Sequence, residues 1–186
     1  TAIFTSLLLG LGSPLTAIQI LWLNLVTDGP PALALGLEPP HKGIMNRPPR
    51  NPKESIFAEG MGVAIIWQGL IIGLLALTAY AFALAWGKTP QEAETMTFVT
   101  MALSQLVHSL NVRSREHSLF TLGLGSNRSL LYALLLSLVA TLMIVFVPFL
   151  RFLFNTAMLR PSDWFFVLGL SLIPLLVVEL NKVYIR

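Results

Sequence analysis

The sequence predicts an all-α fold: a polytopic transmembrane helix bundle of one partial helix plus five full spans. Three observations carry that expectation. The chain is 55% hydrophobic with a mean hydropathy of +0.75, and only 11% of its residues are charged, where an ordinary soluble domain has about a quarter. Apolar runs of roughly 20 residues recur, the length a helix needs to cross a bilayer. The basic residues gather in the segments between those runs, as membrane topology requires, so the net charge of +3 points to a lipid bilayer and not to nucleic acid. No cysteine is present, which excludes disulfides and thiolate metal sites.

The first stretch, residues 1–11, is apolar but too short to span, and Gly10-Leu11-Gly12-Ser13-Pro14 closes it as a turn. Without an initiator Met or a signal peptide, it is expected to be the end of a truncated transmembrane helix. Residues 15–37 form the next span and contain Leu21-Trp22-Leu23-Asn24-Leu25-Val26-Thr27-Asp28-Gly29-Pro30-Pro31, a polar knot in an apolar helix. Asp28 is the only acid of this span and falls near mid-membrane, where a carboxylate is costly and marks a functional site. Asn24 precedes it by four residues and Thr27 by one, which predicts three oxygen-bearing side chains on one side of the helix. The prolines remove backbone donors, so an irregular backbone with freed carbonyls is expected there. Oxygen side chains beside free carbonyls suit a hard cation. The plainer reading is that Asn24 and Thr27 are interhelical hydrogen-bonding groups and Asp28 a buried, protonated acid.

Residues 38–59 read as a cytosolic, proline-rich loop with Lys42, Arg47, Arg50 and Lys53, in which Pro40, Pro48, Pro49 and Pro52 argue against a continuous helix. Residues 60–186 read as four further transmembrane helices with short loops. Gly60 to Trp86 is a span anchored by Trp67 and Trp86, with Gly69 and Gly73 spaced for close helix packing. Gly87 to Glu94 is a polar turn. Thr95 to Asn111 is a less apolar span whose Ser104, Gln105, His108 and Asn111 make one polar stripe. Gln105 could hydrogen-bond between helices, and His108 reads as a polar packing residue because a hard cation prefers oxygen. Val112 to Arg128 is a loop whose Asn127-Arg128-Ser129 has the form of a glycosylation sequon and is read as chance. Ser129 to Leu150 is a plain apolar span that tolerates Pro148 near its end. Arg151 to Asp163 is a loop. Trp164 to Lys182 is the last span, kinked at Pro174, with Glu179 and Lys182 paired at the membrane edge.

Lysines and arginines number four, three and two in residues 38–59, 112–128 and the tail after Leu180, against one and two in 87–94 and 151–163. The two sets alternate along the chain, and the basic set is expected to face the cytosol.

From Trp22 to Arg50 the sequence resembles the sixth transmembrane helix, and the loop after it, of the calcium-transporting P-type ATPases. The residues that carry the likeness are Trp22, Asn24, Thr27, Asp28 and Gly29, the small-residue run Ala32-Leu33-Ala34-Leu35-Gly36, then Glu38-Pro39-Pro40 and Ile44-Met45-Asn46-Arg47-Pro48-Pro49-Arg50. The match is dense and ungapped; the rest of the chain agrees in helix order and loop lengths. The resemblance implies the C-terminal transmembrane part of such a pump, from the end of the fifth helix through the tenth. It implies that Asn24, Thr27 and Asp28 are calcium ligands, and that Gln105 stands at a ligand position of the eighth helix. Some members carry Glu there; Gln brings an oxygen without a charge, which implies one calcium per cycle.

Calcium is then the transported ion, and ATP and magnesium belong to the full-length parent, as do the missing N-terminal helices and cytosolic domains. No Asp-Lys-Thr-Gly phosphorylation motif and no phosphate-binding glycine loop occur in this chain. The expected location is an integral position in a bacterial plasma membrane. Alternatives are a free-standing membrane subunit or remnant without transport, a pump for another divalent cation such as manganese, and a secondary transporter using Asp28 as a proton relay. The last would carry a duplicated broken helix, and no such repeat is visible.

Overall fold

The computed structural model describes residues 2–39, 57, 60–114 and 118–185. The loop expected at 38–59, with its basic and proline residues, lies almost wholly outside the described residues, as do Arg115, Glu116 and His117. Helices α1 (Ala2–Leu8) and α2 (Ala17–Trp22) are followed by a π-helical turn (Leu23–Asp28) and α3 (Gly29–Leu35). Then come α4 (Met61–Ala85), α5 (Pro90–Val112), α6 (Leu119–Leu122), a 3-10 turn (Leu124–Ser126), α7 (Arg128–Phe146), α8 (Pro148–Phe154) and α9 (Pro161–Ile185).

The chain runs back and forth between two ends. At one, Lys88 pairs with Asp163 at 2.7 Å, Gln91 donates to Asn155 and to the Thr156 carbonyl, and Gln19 donates to the Phe154 carbonyl. At the other, Arg113 pairs with Glu38, Asn127 donates to the Ala34 carbonyl, and Ser118 donates to Glu179 at 2.6 Å. The 87–94 and 151–163 segments therefore share the Lys88 end. Glu38, residues 111–114 and 118–127, and the start of the tail share the Glu38 end. This is the alternation read from the distribution of Lys and Arg. Among the described residues three helices, α4, α7 and α9, are long and apolar enough to cross a membrane.

The fourth long helix, α5, is the axis of the bundle. Twelve of its residues are buried, against six in α4, and it packs on α4, α7, α9 and the π turn. Met96, Phe98, Val99 and Ala102 have no exposed surface and pack with Ile144, Val145 and Val167. A helix enclosed by protein needs no lipid-facing stripe, which explains its lower hydropathy. Its polar groups tie it to α9: Ser171 Oγ donates to the Thr100 carbonyl, Asn111 Nδ2 to the Pro174 carbonyl, and Lys182 Nζ to the Asn111 carbonyl at 2.9 Å. That last contact places a cation on the C-terminal carbonyls of α5, where the helix dipole favours it. Glu179 and Lys182 are paired at 2.9 Å, as expected.

Several boundaries differ from the expectation. The polar turn expected at 87–94 is shorter, because Thr89 and Glu92 form a capping box and α5 begins at Pro90. Thr16 and Gln19 start α2 the same way. Pro148 does not sit inside a span: Val147 is extended, at φ −86° and ψ 119°, and α8 starts anew at Pro148. Arg151, expected in a loop, is therefore helical. The α8 helix ends on Asn155, which is left-handed at φ 51° and ψ 47°. The turn at 9–14 forms as expected, with Gly10 and Gly12 at φ 70° and 90°. Asn127 is only 3% exposed, its Nδ2 donating to Glu38 and Ala34 while its Oδ1 caps α7, so the sequon is structural.

Candidate functional site

The polar knot lies on the π turn. Gly29-Pro30-Pro31 does not break the helix; it opens α3, where missing amide protons are tolerated in the first turn. The expected irregular backbone is instead a helix wound one step wider, a feature common at functional sites. The carbonyl of Val26, which would accept from residue 30 in an α-helix or residue 31 in a π-helix, loses both donors to proline. Ser137 on α7 replaces them, its Oγ donating to the Val26 carbonyl at 2.6 Å. A half-buried carbonyl is thereby satisfied, and the π turn is pinned to α7. The indole of Trp22 adds a second tie to α7, at 3.5 Å from Thr141 Oγ1.

The three oxygen side chains of the knot do not share one environment. Thr27 is 1% exposed, whereas Asn24 and Asp28 are exposed on the surface of this chain. The wider turn changes the angular spacing that α-helical geometry would give them. Neither Asn24 nor Asp28 makes a side-chain hydrogen bond among the described residues. Asn24 lines a cavity of 250 Å³ with Gln105 and Met101 of α5, Gly69 and Gly73 of α4, and Leu23. The structure thus brings Asn24 and Gln105 to one cavity; Thr27 and Asp28 do not line it.

The glycine pair does not mark a close helix contact at Gly69, because a Cβ added there meets nothing within 4 Å. Both glycines instead help leave the space beside Asn24.

Buried polar atoms without partners concentrate here. Thr27 Oγ1 and Gln105 Oε1 are buried and accept no hydrogen bond among the described residues, and the same holds for Thr100 Oγ1, Ser104 Oγ, His108 Nδ1 and Asn111 Oδ1 along α5. Native proteins leave few such atoms, and each asks for a water, an ion or another partner. Sequence reading found the stripe from Ser104 to Asn111 but missed Thr100, four residues earlier on the same face, and Ser137, which it passed over in a plain apolar span. Among the described residues no three of His, Cys, Asp or Glu cluster to hold a metal. The residues expected as ligands offer neutral oxygens and the carboxylate of Asp28, a chemistry that suits a hard, oxygen-preferring cation and not a soft metal. Asn24, Thr27 and Gln105 offer one side-chain oxygen each and Asp28 two, fewer than the roughly six to eight that calcium takes.

Among the described residues, an all-helical body with three helices of crossing length packed around a central helix defines a polytopic membrane domain. Residues 12–184 match the family described as "Cation transporting ATPase, C-terminus", and the chain belongs to that family. It is 40% identical to calcium-transporting ATPase 1 of Bacillus cereus over 97% of its length, and 41% identical to the calcium-transporting ATPase of Bacillus subtilis over 91%. It is 36% identical to human calcium-transporting ATPase type 2C member 1 over 98%. The chain spans about a fifth of the length of these relatives: 22%, 19% and 20%. The likeness to calcium-transporting ATPases read between Trp22 and Arg50 is therefore shared by most of the chain.

Proposed function

We propose that this chain is the membrane-embedded cation-binding and translocation part of an ATP-driven calcium pump, carrying one calcium per cycle. The observation that carries the reading is the meeting of Asn24 and Gln105 at one cavity, with the carbonyl oxygen of Gln105 buried and unpartnered. Asp28, on the same π turn as Asn24, supplies the charge, and Thr27 a further oxygen. A single carboxylate compensates one dication only in part, and a second beside it would be left without a counter-charge. The ligand set is completed by helices outside this chain.

In this reading residues 1–11 end a preceding membrane helix, 15–37 are the ion-site helix, 38–59 are a cytosolic loop, and 60–186 are four further spans. The Glu38 end, which carries most of the Lys and Arg, faces the cytosol. Phosphorylation by ATP with magnesium takes place on cytosolic domains of the parent. The membrane is a bacterial plasma membrane, a reading supported by the two Bacillus relatives.

The test is made on the intact protein in its source membranes. An antibody to residues 38–56 should detect a product several times the 20.4 kDa of this chain. In that product, Asp28→Asn should abolish calcium-dependent phosphorylation by ATP, and Gln105→Ala should weaken calcium binding less. Phosphorylation unchanged by Asp28→Asn would remove Asp28 from the site. A band at the chain's own mass would leave a membrane protein without the pump function.

A further inference from the structure

Three residues past Leu35, where the helix that follows Asp28 ends, stands a buried polar clamp. Arg113, just past the C-terminus of α5, has a side chain with no exposed surface, and that of Glu38 is 15% exposed. The Arg113 fork engages the Glu38 carboxylate through Nε, 3.1 Å from both oxygens, and through Nη2, 2.7 Å from Oε1. Its Nη1 donates to the Gly123 carbonyl at 2.9 Å, and Nη2 also donates to Ser126 Oγ. From the other side Asn127 Nδ2 donates to Glu38 Oε2 at 2.8 Å and to the Ala34 carbonyl at 3.1 Å, while its Oδ1 caps α7. The ends of three helices are fastened to one carboxylate.

A buried ion pair is a poor source of net stability, because desolvation cancels most of the attraction; its best-attested use is to fix register. This one is built for that use. A planar fork on a carboxylate sets both distance and angle. It stands eight residues past Gln105, about 12 Å along α5, and three residues past the end of α3, which follows directly on the π turn. The geometry points to a register clamp: Arg113, through Glu38, sets the axial position of the π turn against α5, and so the separation of Asn24 and Asp28 from Gln105. Arg113 is a positioning residue that touches no ion. The inference rests on the cation-site reading above and adds to it the device that holds the two halves of the site in step.

The experiment is equilibrium calcium binding to the intact protein purified in detergent, for Arg113→Lys, Gln105→Ala and the double variant, with thermal unfolding in parallel. Arg113→Lys keeps the charge and loses the fork, and it should weaken calcium binding about tenfold, as changes behind a metal ligand do. In the Gln105→Ala background the same substitution should have little further effect on calcium, although its effect on thermal unfolding persists. A merely structural role would give equal losses in both backgrounds. Glu38→Gln, which keeps the shape and drops the charge, should repeat the pattern and serves if Arg113→Lys fails to accumulate.

If Gln105→Ala weakens calcium binding and the clamp variants do not, or if their losses simply add, the clamp is overturned and the site stands. If Gln105→Ala leaves calcium binding unchanged, the site reading falls and the clamp falls with it.

Discussion

Ser137 donates to the carbonyl of Val26 across 111 positions of sequence, at 2.6 Å. It does for the π turn what the amides of Pro30 and Pro31 cannot. Ser137→Ala leaves that carbonyl half-buried and unpaired, at a cost of about 1 kcal/mol, a mid-range value for membrane and buried hydrogen bonds. Thermal unfolding of the purified protein should show the loss, and Ser137→Thr should recover most of it. Because the turn carries Asn24 and Asp28, calcium binding should weaken in the alanine variant too. Unchanged unfolding and binding would mean that the π turn needs no support from α7.

At the opposite end, the side chains of Lys88 and Asp163 are 10% and 2% exposed, and Asp163 also accepts from the Arg160 amide at 3.0 Å. Removing one member of a buried pair costs about 3–5 kcal/mol, because the other charge is left unpaired. Asp163→Asn and Lys88→Met should each lower the unfolding midpoint by more than the double variant does. Additive losses in a double-mutant cycle would show that the pair is not coupled.

Asn155 holds a left-handed backbone that side chains other than glycine and asparagine avoid, and it exchanges hydrogen bonds with Gln91 and Glu94. Asn155→Ala should destabilise by about 1–2 kcal/mol from backbone strain alone. Asn155→Gly should recover the strain but not the side-chain bonds, and so fall between the two in a denaturation series. An alanine variant as stable as the parent would show that α8 does not end in this conformation.

Glu92 lies in the capping box ahead of the apolar span. The backbone amide of Thr89, then its hydroxyl, hold the carboxyl below its ordinary value. A depressed carboxyl stabilises the fold above its unfolded pKa, about 4.3, and that contribution is lost as pH falls through the folded-state value. The group is exposed, so the effect is small. The difference in stability between the parent and Glu92→Gln should therefore be present at neutral pH and shrink in acid. Thr89→Ala should cost about 1 kcal/mol at neutral pH. A pH-independent difference for Glu92→Gln would separate the carboxylate from the cap.

What the sequence made legible was mostly periodic or local. The long helices, the alternation of loop sides and the Glu179–Lys182 pair depend on hydrophobic runs and on neighbours three residues apart. Thr89-Pro90-Gln91-Glu92 has the spacing of a capping box, but its polarity was read as a turn. Other features were out of reach because their partners are distant. Pro30 and Pro31 signalled a broken helix; the first-turn place they take in α3, and the bond from Ser137 far along the chain to the Val26 carbonyl, are not visible in local sequence. Arg113 looked like one of many loop cations; its partner Glu38 lies 75 residues earlier. For the site, residue type singled out Asn24, Thr27, Asp28 and Gln105. The wider winding, which opens the angle between Asn24 and Thr27, leaves no trace in hydrophobic spacing.

That winding has a rotational consequence. A π turn takes up an extra residue, worth about 100° of α-helical rotation, inside its own wider ring. The helix after Asp28 therefore keeps the facing of the helix before Leu23, while the residues inside the ring are redistributed around it. Removing one residue between Leu23 and Asp28 would let the turn close to an ordinary α-helix: Ala34 and Glu38 would stay against Asn127 and Arg113, and only the oxygen side chains between them would change direction.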